Sequence, residues 1–123
     1  MQITIHRGTH EIGGSCVEIR TRQAKILLDL GLPLDFDSRP QEQQEQIRRE
    51  ALEWAQDADA IFISHYHADH HGLLPDTHQD VASYATAGTA AMMHVTEVIH
   101  GRGDADYLRH IRILAKEADG RKF

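Results

Sequence analysis

Residues 64–72 read SHYHADHHG, four histidines and an aspartate in nine positions. On a helix His65 and His67 would point about 200° apart, because each residue turns the chain by roughly 100°. That excludes the helical zinc pair, which needs two histidines four positions apart. In extended chain, or in the loop that ends a strand, residues i and i+2 share a face, so His65 and His67 can converge on one ion. Asp69 and His70, a short turn further on, can reach back toward a second ion beside the first. Imidazole and carboxylate suit zinc, and also iron or manganese when carboxylate and water complete the shell. With ten histidines in the chain, some clustering follows from composition alone. Composition does not explain the order: two histidines at i and i+2, then Asp-His, then Gly72, all directly after the hydrophobic run ADAIFIS (58–64).

Outward from this loop the chain alternates in period. MQITIHR (1–7) places Ile3 and Ile5 between polar neighbours, the pattern of a strand with one buried face. SCVEIR (15–20) and AKILLDL (24–30) repeat the strand signal, with TRQ (21–23) as the turn between them. Gly8 and the pair Gly13-Gly14 break the first connection, as glycine does where backbone turns tightly. No Lys-Ser or Lys-Thr follows the pair to make a phosphate loop. Pro33 and Pro40 bracket a loop. From Gln41 to Ala55 the apolar residues Ile47, Ala51, Leu52, Trp54 and Ala55 then recur at near-helical spacing, with Gln and Glu on the other face. Pro40 and Glu42 fit a helix start. AIFIS is a short buried strand that delivers the histidine loop at its carboxyl end, where open α/β sheets place their chemistry.

VASYAT (81–86) is the next strand, followed by a helix from about Thr86 to Ile99 with Ala90, Ala91, Val95, Val98 and Ile99 as its core-facing stripe. Met92 and Met93 read as gap fillers in that core. Asp104 is placed to cap a third helix through YLRHIRILAKEAD (107–119), stopped by Gly120. A hairpin followed by alternating helices and strands makes the class α/β.

The length of 123 residues suits one domain with its own core. No run of eighteen apolar residues spans a membrane, and the N-terminus shows no charged leader with an apolar stretch behind it. The single cysteine, Cys16, excludes an internal disulfide, reads as a small buried apolar residue, and fits a reducing cytoplasm. The formal net charge of −6 argues against holding nucleic acid by bulk electrostatics. It leaves a nuclease open, because a metal centre brings its own positive charge and the carboxylates around it count toward the total. His94, His100 and His110 read as partly exposed residues of the late helices. His78 carries no signal, and His6 and His10 are weak candidates for substrate contact.

HYHADHHG (65–72) resembles the His-x-His-x-Asp-His-x-Gly signature of the metallo-β-lactamase-fold hydrolases, which also stands at the end of a strand. The resemblance implies that His65 and His67 bind one metal and that Asp69 and His70 bind the other, with Asp69 also the candidate catalytic residue. The expected cofactor is zinc, two ions in a complete site, with iron or manganese as alternatives. HEIGGSCVEIRTRQAKILLDLG (10–31) is similar to the family's opening hairpin. There a glycine turn leads into two strands ending in an acidic residue close to the metal loop, Asp29 here. VASYATAGTAAMM (81–93) is similar to the strand-to-helix step of the β-CASP nucleases, the branch that processes RNA and DNA. His71, at the motif's variable position, is expected as a donor behind the ligands or as a solvated ring.

The implied fold is the N-terminal half of an αβ/βα sandwich, with a β-hairpin opening and a mixed sheet carrying helices on one face. In the family the third histidine, the bridging aspartate and the final histidine lie on a later half of similar size. No such set follows His70. Residues 1–123 are therefore expected to form a single, apparently truncated domain whose exposed core face would be covered by a homo-oligomer or a partner chain. The implied activity is metal-dependent hydrolysis of phosphodiesters, RNA or DNA among them, with metal-activated hydroxide as nucleophile. Thioester hydrolysis of the glyoxalase II type is disfavoured, because Ser64 stands where that group has threonine. A reading of another class is a non-catalytic metal-binding or interaction fragment.

Overall fold

The computed structural model describes residues 1–77, 81–103 and 105–114. Its first three strands, β1 (Gln2–Arg7), β2 (Cys16–Arg20) and β3 (Lys25–Leu28), pair antiparallel in succession. The β2–β3 turn closes on Thr21, whose hydroxyl oxygen accepts from the N–H groups of Gln23 (3.1 Å) and Ala24 (3.0 Å). Helix α1 (Gln41–Ala55) begins directly after Pro40, which lacks the N–H that a helix start leaves unpaired. Strand β4 (Ala60–Ile63) then returns parallel to β3. The histidine loop and a single turn, α2 (Ala68–His71), lead on toward β5 (Ala82–Thr86), parallel to β4. Helix α3 (Ala87–Ile99) is capped by Thr86, whose side chain accepts from the Thr89 N–H. The result is one six-stranded mixed sheet in the order β1-β2-β3-β4-β5-β6, and the α/β class stands as expected.

Register shows which face is covered. Leu27 pairs with Ile61, and Ile63 with Ala85. These residues form one core with Cys16, with Ile47, Ala51 and Ala55 of α1, and with Met93 of α3. Both long helices therefore lie on one face. The opposite face carries Ile3, Ile5, Val17, Ile19, Ile26, Leu28 and Phe62 in register across four strands. No helix of the described residues shields it, and Ile3 and Ile5 are more than half exposed. Nor is any described helix long and apolar enough to cross a membrane.

Three local expectations are corrected. Over its described part, residues 107–114, the expected third helix is not formed: a 3₁₀ turn at Asp106–His110 runs into strand β6 (Ile111–Leu114), parallel to β5. Ile111 and Ile113 alternate along this strand, and pairing with Ser83 and Ala85 overrides the weak helical spacing. Asp104 and Gly120, the expected cap and stop, lie outside the described residues, as does His78.

Helix α3 also turns a different side inward. Met93 and Glu97 are buried and Ala90 half-buried, while Ala91, Val95, Val98 and Ile99 face solvent. Glu97 can go inside because Arg102 and Tyr107 donate to its carboxylate. In β1 the apolar side is the open one. The covered side holds His6, stacked on Trp54 at 4.8 Å between ring centroids, and Arg7, paired with Glu50.

Candidate metal centre

The chain leaves β4 at Ile63 and enters a loop that the ends of two other segments clamp through backbone hydrogen bonds. Ser15 donates to the Asp69 carbonyl (3.0 Å), Leu30 to that of His70 (2.9 Å), and Leu32 to that of Ala68 (3.0 Å). The clamp needs glycine where it closes. A β-carbon on Gly31 would overlap the Asp69 carbonyl, and one on Gly13, whose φ is 81°, would stand 3.0 Å from the Asp69 β-carbon. The glycine turn and the segment after β3 are thus shaped to the histidine loop.

Asp29 directly follows β3 in the left-handed region, φ 62°, which aspartate tolerates better than most residues. Its Oδ1 accepts the Ser64 N–H at 2.8 Å, and its Oδ2 accepts the Ser64 hydroxyl at 2.7 Å. The same Oδ2 lies 2.8 Å from His70 Nδ1. A carboxylate only accepts, so the His70 proton sits on Nδ1 and the Nε2 lone pair is free for a ligand. His70 Nε2 lies 3.5 Å from Asp69 Oδ2, which makes that pair one two-donor bite.

His65 and His67 make the other. Their rings stand nearly perpendicular, and His65 Nε2 faces His67 Nδ1 at 2.9 Å. Two nitrogens on one tetrahedral zinc would be about 3.3 Å apart, given bonds of about 2.0–2.1 Å. A few tenths of an ångström of opening therefore admits an ion. The two bites adjoin, with His65 and His70 ring centroids 5.4 Å apart. The four expected ligands are thus neighbours in space, fitted to metal by donor type and by paired spacing. Among the described residues no three of them converge on one point, so each bite remains two-sided.

His71 is buried, and its Nε2 donates to the Tyr66 carbonyl at 2.9 Å. Burial holds its pKa down and keeps the ring neutral. Its Nδ1 is buried without a hydrogen-bond partner. A cavity of about 790 Å³ adjoins this ring, with Phe36, Leu74 and Tyr107 also on its wall. The solvated alternative for His71 is thereby excluded. His6 is committed to Glu18, at 3.0 Å, and to the Trp54 stack. His10, His94, His100 and His110 are exposed. Cys16 lies in the core, where burial pushes its thiol up to about 12, so it is no nucleophile at neutral pH. Sequence reasoning gave Ser64 no part in holding the loop and passed over Gly31. The one available signal was their position, directly before His65 and two residues after Asp29.

The sequence profile described as the metallo-beta-lactamase superfamily matches residues 11–79, more than half of the chain. The chain belongs to that superfamily. This metallo-β-lactamase-superfamily chain is 32% identical over 94 residues to the RNase J-like protein of Methanocaldococcus jannaschii, covering 76% of this chain and 20% of that one. It is 40% identical over 75 residues to the Probable RNase MJ4 of the same organism, covering 61% of this chain and 16% of that one. A crystal structure of a protein of unknown function from Enterococcus faecalis V583 overlays on 94% of this chain and 33% of its own, with a TM-score of 0.64 at 18% identity, a likeness of fold alone. The chain spans a fifth or less of the length of the two curated relatives.

Proposed function

We propose that this chain carries the first part of the metal centre of a hydrolase that cuts phosphodiester bonds in RNA or DNA. The carrying observation is the pair of adjoining two-donor bites, His65 with His67 and Asp69 with His70, behind which Asp29 fixes the His70 tautomer. Relatives named as ribonucleases support the choice of substrate. Zinc is the first choice of metal for this donor set, with iron or manganese as alternatives. Divalent ions held by these residues would supply Lewis acidity, lowering the pKa of a coordinated water and neutralising charge on the displaced oxygen.

The chain's own residues hold and orient. His65 and His67 present lone pairs from a loop clamped at Ala68, Asp69 and His70. Asp69, about a quarter exposed, is the carboxylate of the set that reaches solvent, and we assign it proton acceptance at Oδ2 beside its ligand role. A catalytic zinc takes three protein ligands and an open position, one protein donor more than either bite holds among the described residues. The single buried thiol suits a cytoplasmic setting.

The test is metal content by elemental analysis on sized protein, wild type beside His65→Ala/His67→Ala. Two ions per chain, lost in the variant, support the centre. Metal-dependent hydrolysis of a bis-phenyl phosphate ester, abolished by His67→Ala with Asp69→Ala, then supports the activity. That no three donors converge among the described residues favours a second reading, a metal-binding fragment without catalysis. Bound metal with no hydrolysis in a folded preparation would select that reading.

A further inference from the structure

We propose that His71 is a positioning residue of the metal loop, acting through the hydrogen bond from its Nε2 to the Tyr66 carbonyl. Tyr66 stands between the two histidines of the first bite, and its ring touches both, at 4.7 Å from His65 and 4.3 Å from His67 between centroids. The Tyr66–His67 peptide is planar, so holding its carbonyl toward His71 also sets the direction of the His67 N–H and the axis about which His67 turns. Ser64 is held from one side by Asp29, and the His67 carbonyl accepts from the His70 N–H at 2.9 Å. His71 supplies the anchor between those two points. It does so from α2, the turn that also carries Asp69 and His70, so one rigid element orients both bites.

The carbonyl can only accept, which requires the His71 proton on Nε2 and leaves Nδ1 bare. Nδ1 is the buried atom without a partner, at a ring that is 3% exposed. A histidine kept inside the core with one nitrogen unsatisfied is costly, and the tether is what it accomplishes there. The role rests on the metal reading for its consequence, while the hydrogen bond itself does not.

Two measurements on the full chain separate the hydrogen bond from the metal. Long-range ¹H–¹⁵N correlation on metal-free protein reads the ring tautomer: a proton on Nε2 is expected, and a proton on Nδ1 overturns the tether whatever the metal does. Zinc affinity is then measured by competition with a chromophoric chelator for wild type, His71→Gln, His71→Asn and His71→Leu, with melting of each metal-free form as the control for folding. The Gln amide nitrogen is as many bonds from Cα as Nε2 and can restore the donor, whereas the Asn nitrogen matches Nδ1 and cannot. We expect Asn and Leu to weaken zinc binding by about tenfold or more and Gln to stay within about threefold. Wild-type affinity in the Leu variant overturns the proposal, as do equal losses in all three, which would assign His71 to packing. A wild-type chain that takes up no zinc overturns the metal reading and this role with it, and the tautomer still reports whether the bond exists.

Discussion

Gly31 lies so close against the Asp69 peptide that no side chain fits between them: a β-carbon would overlap the Asp69 carbonyl and come within 2.9 Å of the His70 nitrogen. This contact joins the segment after β3 to the loop after β4 and makes the histidine loop part of the sheet's frame. Gly31→Ala is expected to destabilise the fold by about 1–3 kcal/mol, since backbone rather than a mobile side chain must give way. Urea unfolding with zinc uptake measured in parallel checks it. Unchanged stability and uptake would show the clamp to be plastic.

Asp29→Asn is a cleaner probe of the carboxylate than Asp29→Ala, because asparagine also tolerates the positive φ of 62° at this site. The amide can still accept from the Ser64 N–H, but it removes the charged partner of His70 Nδ1. Zinc affinity is expected to fall by about 10–100-fold with little change in melting temperature. A large loss of melting temperature with affinity retained would make Asp29 a fold residue only.

Acid sensitivity is expected to involve Glu97. Hydrogen bonds from Arg102, at 2.7 and 3.3 Å, outweigh burial, and with the Tyr107 hydroxyl at 3.1 Å they hold this carboxyl below its ordinary value of 4.5. A depressed folded pKa contributes stability that is present above the unfolded value and lost as pH falls through the folded one. Wild type should therefore lose melting temperature as pH drops below about 4.5, and Glu97→Gln should show a shallower loss across the same window. Parallel curves would mean that the pair contributes nothing measurable.

Among the described residues no helix covers the apolar sheet face, and the isolated chain is expected to associate through it, because contiguous exposed apolar surface favours contact with another surface. Ile3 and Ile5 are 58% and 56% exposed and lie on the edge strand of that face. Ile3→Lys/Ile5→Lys is expected to lower the apparent mass at high concentration by light scattering and to leave the melting temperature nearly unchanged. The same mass in both proteins would exclude this face as the contact.

Short-range pattern decided much of this protein. The strands at 2–7 and 16–20, the 41–55 helix with its proline start, and the strand before SHYHADHHG all rest on local spacing and stand in the structure, although Ile3 and Ile5 of the first face the open side. The residue types and order of His65, His67, Asp69 and His70 likewise carry their donor chemistry without reference to the rest of the chain. Tertiary contact decided what local spacing left degenerate. Residues 111–114 became a strand because β5 offered a free edge. Helix α3 turned Glu97 inward because Arg102 and Tyr107 could satisfy it. His71 went to the core because the Tyr66 carbonyl was there to receive its proton. In each case a polar or pairing partner distant in sequence or set by the folded loop outweighed a preference of a few tenths of a kcal/mol per residue. Such partners exist only once the chain has folded.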